Sequence, residues 1–258
     1  TSGEIAAMVG GELRGSPEEV ICDISIDSRT VHQQEATLFV AIRGDRHDGH
    51  SFISELLERG IKAFLVEELP LSPLGNATFI LVRESLKALH DLAAAHRGRH
   101  GCRVIGITGS NGKTIVKEWI SQALSPDQKI VRSPKSYNSQ IGVPLSVMLL
   151  EADTETGIFE AGISRRGEMV RLEPIIRPTI GIFTNIGGAH QEGFSDIEEK
   201  LDQKLILFKD AAKIIYCSEQ VLVNKMIRKQ FRAEKLFTWS FGEESDVWAR
   251  KREGDGDG

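Results

Sequence analysis

Residues 104–119 read VIGITGSNGKTIVKEW. Thr108, Gly109, Ser110, Asn111 and Gly112 make a short loop punctuated by glycine, followed at once by Lys113 and Thr114. Such a loop can turn backbone N–H groups inward, as phosphate oxygens require, and the N-terminus of a following helix adds positive potential. Lys113 supplies a charge for β and γ phosphates, and Thr114 a hydroxyl for Mg²⁺. The common phosphate-loop spacing, G-x-x-x-x-G-K-S/T, needs a glycine where Ile107 stands; the spacing here is G-x-x-G-K-T. A glycine turn before a helix with a surface lysine would share these residues. The apolar strand before the loop and the helix after it argue for a nucleotide site, and they leave the reaction open.

Mg²⁺ takes oxygen ligands and few carboxylates. TGIFEAG ends an apolar strand on Glu160, where a metal-facing acid would sit. A carboxylate there is costly to bury unless paired, so an ion pair with Arg165 or Arg166 is the other reading. TNIGGAHQEGF follows a further strand and gathers Asn185, His190 and Glu192 into a glycine-rich loop at the same end.

These groups need a sheet to position them. From residue 103 onward, apolar strands alternate with helices: RVIGIT, GKTIVKEWISQAL, KIVRS, GVPLSVMLLEA with Pro144 in its first turn, GIFEAG, RPTIGIFTNIG, IEEKLDQKLILFKD, KIIYCS, EQVLVNKMIRKQF and KLFTWS. That alternation predicts an α/β fold, a mainly parallel sheet with helices on both faces and ligands beyond the carboxyl ends of the strands. Up to about residue 98 shorter strands (VICDISI, TLFVAI, IKAFLV, TFILV) mix with helices over SFISELLERG, capped by Ser51, and ESLKALHDLAAAHRGRH. The pattern predicts two domains, 1–98 and 99–258. EGDGDG at the end reads as a loop.

The chain has 258 residues, 40% hydrophobic and 27% charged, the balance of a soluble globular protein. A net charge of −5 argues against a nucleic-acid partner. No apolar run predicts a membrane span, and TSGEIAAMVGGEL lacks the pattern of a signal peptide. The chain starts on Thr1, which suggests a processed or trimmed chain. Cys22, Cys102 and Cys217 are far apart and fit free thiols in a reducing cytoplasm.

G-x-x-G-K-T with Glu160, AHQEGF and Lys204 resembles the ATP-dependent Mur ligases of peptidoglycan synthesis, whose loop is similar to TGSNGKT. DSRTV, LFVAIRGDRHDGHSF and GIKAFLV resemble the family's uridine-nucleotide domain; SYNSQIGVPLSVMLL and NIGGAHQEGF resemble its MurF type more than its MurE type. The wording is also similar to the MurF half of a MurF–alanine racemase fusion. The resemblance implies ATP and Mg²⁺ as cofactors. Thr108, Gly109, Ser110, Asn111, Gly112, Lys113, Thr114 and Asn185 would bind the nucleotide, with Lys113, His190 and Lys204 catalytic. Thr114, Glu160, His190 and Lys204, the last as a carbamate, would hold metal. Read from its neighbours alone, Lys204 is a solvated helix lysine among Glu198, Glu199, Lys200 and Asp202; only the resemblance gives it a role. Where the family often has a glutamate two residues later, this chain has Ile206.

The resemblance further implies UDP-N-acetylmuramoyl-tripeptide as substrate, bound by Ser28, Arg29, Asp48, Gly49, His50, Asn138 and Ser139, and D-alanyl-D-alanine received by a third domain. This chain is therefore expected to be part of a longer, cytoplasmic enzyme that forms an amide through an acyl phosphate. A MurE-type or folylpolyglutamate-synthetase-like ligase, a P-loop GTPase and a non-catalytic nucleotide-sugar-binding module are the other readings. The GTPase would need N-K-x-D, and Asn224–Ile227 reads NKMI.

Overall fold

The computed structural model describes residues 1–31, 36–44, 47–71, 75–187, 193–242 and 245–249. The chain divides into two compact units, Thr1–His96 and Arg97–Gly258.

The first unit opens with α1 (Ser2–Val9), whose capping box joins Thr1 and Glu4, then β1 (Glu12–Arg14), β2 (Asp23–Ser25) and β3 (Thr37–Val40). After a 3₁₀ turn, Gly49–Phe52, come α2 (Ile53–Glu58), β4 (Ala63–Val66), β5 (Thr78–Leu81) and α3 (Ser85–Gly98), which runs across the boundary. Strand order is β1-β5-β4-β3-β2; β2 to β5 are parallel and β1 is antiparallel to β5. All four residues of β3 and of β4 are buried, as strands covered on both faces require. Phe64 stacks on Phe79 with centroids 5.1 Å apart and meets Phe39 edge-on at 6.3 Å. The helical segment after β3 starts earlier than the expected Ser51 cap. Asp48 caps it, its carboxylate accepting from the His50 amide, so the 3₁₀ turn precedes α2.

The second unit runs β6 (Arg103–Thr108), α4 (Lys113–Leu124), β7 (Ile130–Arg132), α5 (Gly142–Val147), β8 (Thr156–Glu160), α6 (Glu168–Ile176), β9 (Ile180–Phe183) and α7 (Ile197–Leu205). It continues through a 3₁₀ turn, Ile206–Phe208, to β10 (Lys213–Cys217), α8 (Val221–Gln230), β11 (Leu236–Phe241) and β12 (Val247–Ala249). The parallel sheet has the order β12-β11-β10-β9-β6-β8-β7. Helix α6 has no counterpart in the sequence reading. Its core-facing Met169, Leu172, Ile175 and Ile176 are buried although Pro174 lies within it.

β6 lies between β9 and β8. The chain leaves β6 toward β7 on one side and leaves β9 toward β10 on the other. Between β6 and β9 the connections therefore diverge, which opens a crevice at their carboxyl ends. Among the described residues no helix is long and apolar enough to cross a membrane.

Candidate functional site: a phosphate loop ringed by lysines

The loop 108–112 leaves β6 in that crevice and is braced by the segment after β9. The Ser110 amide donates to the Asn185 carbonyl at 2.8 Å, and the Asn111 amide to the Asn185 side chain at 3.1 Å. The Thr184 hydroxyl donates to the Asn111 carbonyl at 2.6 Å, and the Gly187 amide to Ser110 Oγ at 3.1 Å. Asn185 thus works as a brace for the loop. Thr108, buried at the strand end, donates to the Ala161 carbonyl at 2.8 Å. Gly109 has φ +141°, and a Cβ there would lie 2.0 Å from Thr184 Oγ1, so only glycine passes. Gly112, at φ +79°, caps α4. The first amides of α4, starting with Lys113, have no carbonyl one turn back and point toward the loop as anion donors.

Two lysines close on this loop and a third on the segment that braces it. Lys113 Nζ donates to the carbonyls of Gly109 at 3.0 Å and Ser110 at 3.3 Å. Lys204 Nζ donates to the same Gly109 carbonyl at 3.1 Å, and Lys200 Nζ to the Gly187 carbonyl at 3.4 Å. Lys200 and Lys204 are four residues apart on α7, hence on one face of the helix, and both are buried. Asp196 caps α7 by accepting from the Glu199 amide at 2.7 Å, which fixes where the two lysines emerge. Burial, then Lys113, then Lys200 push Lys204 down to about 7. Burial pushes Lys113 down too; Glu160 opposes this and Lys200 adds to it. Lys200 is lowered by burial. Mutually repelling buried ammonium groups around a phosphate loop are relieved by a polyanion.

On the other side of the loop, Thr114 Oγ1 donates to Glu160 Oε2 at 3.1 Å and lies 3.1 Å from Ser136 Oγ. Asn138 Nδ2 donates to the same carboxylate oxygen at 3.4 Å. Glu160 is fully buried at the end of β8. Its partner is neither Arg165 nor Arg166: Lys117 Nζ stands 3.0 Å from Oε1 as an ion pair, and no hydrogen bond closes on that oxygen. Arg166 faces Glu199 at 3.6 Å instead. The arginines follow β8 in the chain, whereas Lys117 comes up beneath the carboxylate from one turn into α4. The Thr114 hydroxyl beside a buried carboxylate with spare lone pairs fits a hard cation that keeps water and phosphate oxygens as its other ligands. Among the described residues no cluster of three or more His, Cys, Asp or Glu offers a metal an all-protein cage.

Lys204 reaches the loop carbonyl. His190, expected beside it, and Glu192 of the same loop lie outside the described residues. Ile206 lines a separate cavity of about 620 Å³ with Leu205, Lys209, Gln230 and Phe231, so the position two residues on faces away from Gly109. Ser139 precedes α5, its hydroxyl accepting from the Gly142 amide at 3.1 Å. The Asn138 carbonyl accepts from Gly162 N at 2.8 Å. Lys117, like Lys200, is a residue that sequence reasoning passed over. The only signal was its place four residues after Lys113.

In the first unit the expected substrate residues follow the carboxyl ends of β2 and β3. The Ser28 carbonyl accepts from Arg59 Nη1 at 2.6 Å. Arg29 is exposed and grips Asp27 with two hydrogen bonds, at 2.9 and 2.7 Å, which holds that acid at about 2. Gly49 begins the 3₁₀ turn capped by Asp48. Burial raises Asp48; the His50 amide, the His50 ring and Arg43 outweigh it and hold the acid at about 2. His50 Nε2 accepts from the Glu67 amide at 2.9 Å, so Nδ1 carries the proton and donates to Asp48 at 2.6 Å. Both ring nitrogens are thus committed within the unit.

Two family models match the sequence: the Mur ligase middle domain over residues 107–257, and the catalytic domain of the Mur ligase family over residues 21–97. The UDP-N-acetylmuramoyl-tripeptide–D-alanyl-D-alanine ligase of Bacillus subtilis (strain 168) is 35% identical over 224 residues, covering 85% of this chain and 49% of that protein. Among solved structures, MurF from Acinetobacter baumannii superposes with a TM-score of 0.85 at 25% identity, over 96% of this chain and 54% of that one. A MurF ligase from Thermotoga maritima in complex with ADP gives 0.74 at 26%, over 86% and 51%. The chain spans about half the length of the relatives it matches. The middle-domain match covers more than half of this chain, including the loop, Glu160 and the lysines of α7. The chain belongs to the Mur ligase family.

Proposed function

We propose that this chain is the substrate- and ATP-binding part of a MurF-type ligase that joins D-alanyl-D-alanine to UDP-N-acetylmuramoyl-tripeptide. The observation that carries the reading is the meeting of three lysines, a glycine-built loop and the Thr114–Glu160 pair at one sheet end. The 26% identical Thermotoga ligase in complex with ADP supports a nucleotide in this crevice.

In this reading Lys113 and the first amides of α4 orient the β and γ phosphates of ATP and balance their charge. The terminal carboxylate of the tripeptide attacks the γ-phosphorus, ADP leaves, and an acyl phosphate forms. The amine of D-alanyl-D-alanine attacks that carbonyl and loses a proton, and inorganic phosphate leaves as the amide bond closes. Thr114 and Glu160, with Lys204 as a carbamate and His190, would hold Mg²⁺, which would neutralise phosphate charge when bound. A Lys204 amine held at about 7 is largely neutral in mildly basic solution, the form that adds CO₂. Asn138 and Ser139 face the peptidyl end. Ser28, Arg29 and the Asp48–Gly49–His50 turn serve the uridine diphosphate end, Arg29 after exchanging Asp27 for phosphate oxygens. The site of action is the cytoplasm.

The test is ADP release by the full-length protein containing this chain, supplied with ATP, Mg²⁺ and UDP-N-acetylmuramoyl-tripeptide. Release should depend on D-alanyl-D-alanine. Release supported instead by UDP-N-acetylmuramoyl-dipeptide and a single amino acid would move the protein to the MurE type.

A further inference from the structure

Lys117 is fully buried, an unusual position for a lysine. Its polar partners include the buried carboxylate of the site and the segment that follows β7. Its Nζ donates to the Ser133 carbonyl at 2.7 Å and to the Lys135 carbonyl, and it pairs with Glu160 Oε1 at 3.0 Å and Glu118 Oε1 at 3.2 Å. The segment it grips also touches Glu160 and Thr114: Ser133 Oγ accepts from the Glu160 amide at 3.3 Å, and Ser136 Oγ lies 3.1 Å from Thr114 Oγ1. Lys135 sits at φ +47°, which a non-glycine residue adopts only when its surroundings hold it.

We propose that Lys117 is a positioning residue for the Glu160 carboxylate. It holds Oε1 and so leaves Oε2 beside the Thr114 hydroxyl, where Mg²⁺ would bind. This rests on the nucleotide–Mg²⁺ reading above. Two effects of Lys117 on the metal oppose each other. Its charge would repel a cation, but it stands against Oε1 and leaves Oε2 with Thr114 and Asn138. Without Lys117 the carboxylate loses the partner that fixes Oε1, is free to turn away from the Thr114 hydroxyl, and the oriented ligand is lost. The second effect dominates, because a carboxylate turned away from Thr114 offers Mg²⁺ no ligand there.

The experiment is calorimetry of ADP binding to this chain, with Mg²⁺ and with EDTA, for the unmodified chain, Lys117→Met, Glu160→Gln and the double variant. The readout is the gain in ADP affinity that Mg²⁺ confers. Lys117→Met should reduce that gain about 10- to 100-fold, the range for groups that orient a metal ligand. Affinity in EDTA should change little, and adding Lys117→Met to Glu160→Gln should reduce the gain no further. An undiminished gain in Lys117→Met overturns the proposal, as does a further loss in the Glu160→Gln background. No Mg²⁺ gain in the unmodified chain overturns the metal-site reading as well, which separates the two failures. If Lys117→Met does not fold, nitrogen NMR of the unmodified chain decides. The Lys117 ammonium resonance should move when Mg²⁺ is added to the ADP complex, and a resonance indifferent to Mg²⁺ overturns the proposal.

Discussion

Lys113 lies at the first position of α4 with its ammonium folded back on the loop, so truncating it removes charge with little core packing. Lys113→Ala should abolish measurable binding of a non-hydrolysable ATP analogue while leaving the thermal midpoint within a few degrees. Equal affinity in calorimetry would refute the phosphate loop. Lys204 makes a different prediction. Its folded value, about 7, lies below the 10.5 of a free lysine, so unfolding takes up a proton in the window between them. Stability from this group is complete above the unfolded value and is lost as pH falls toward the folded one. The urea midpoint of the unmodified chain relative to Lys204→Met should therefore rise from pH 7 to pH 9, measured without nucleotide and CO₂; a flat difference would contradict the buried amine. The loop glycines, Lys113 and Thr114 were legible because their spacing carries chemistry by itself. Lys117 and Lys200 were not, since a lysine inside a helix reads as solvated until the neighbouring elements bury it.

The elements that place these residues were legible where their pattern was long and apolar, as for β6, β8 and α4. Helix α6 went unread although Met169, Leu172 and Ile175 recur at helical spacing; Pro174 inside it weakens the local helical signal. The Asp48 cap escaped because its acceptor role depends on the 3₁₀ turn that precedes α2. In the first unit, β3, β4 and β5 meet through Phe39, Phe64 and Phe79, all fully buried. Phe64 touches both others, so Phe64→Ala leaves a cavity between strands that cannot close it and should destabilise this unit by about 3–5 kcal/mol. Chemical denaturation followed by circular dichroism checks this, and a loss below about 1 kcal/mol would mean that the stack contributes little.

At the scale of the whole chain, strand alternation announced a parallel sheet, but its order was beyond local pattern. The divergence between β6 and β9, which brings Asn185 onto the loop, follows from crossovers and long-range pairing. Two units, one with candidate groups beyond β2 and β3 and one with a phosphate loop beyond β6, suit a ligase that holds a nucleotide-sugar peptide and ATP at separate places. The central claim is that this chain serves a MurF-type reaction. The most direct test is to titrate it by calorimetry with UDP-N-acetylmuramoyl-tripeptide and, separately, with UDP-N-acetylmuramoyl-dipeptide, each with a non-hydrolysable ATP analogue and Mg²⁺ present. The account predicts saturable binding of both through the shared uridine end, with the tripeptide form tighter by about tenfold or more, roughly 1.4 kcal/mol. Equal affinities, or preference for the dipeptide form, would contradict it.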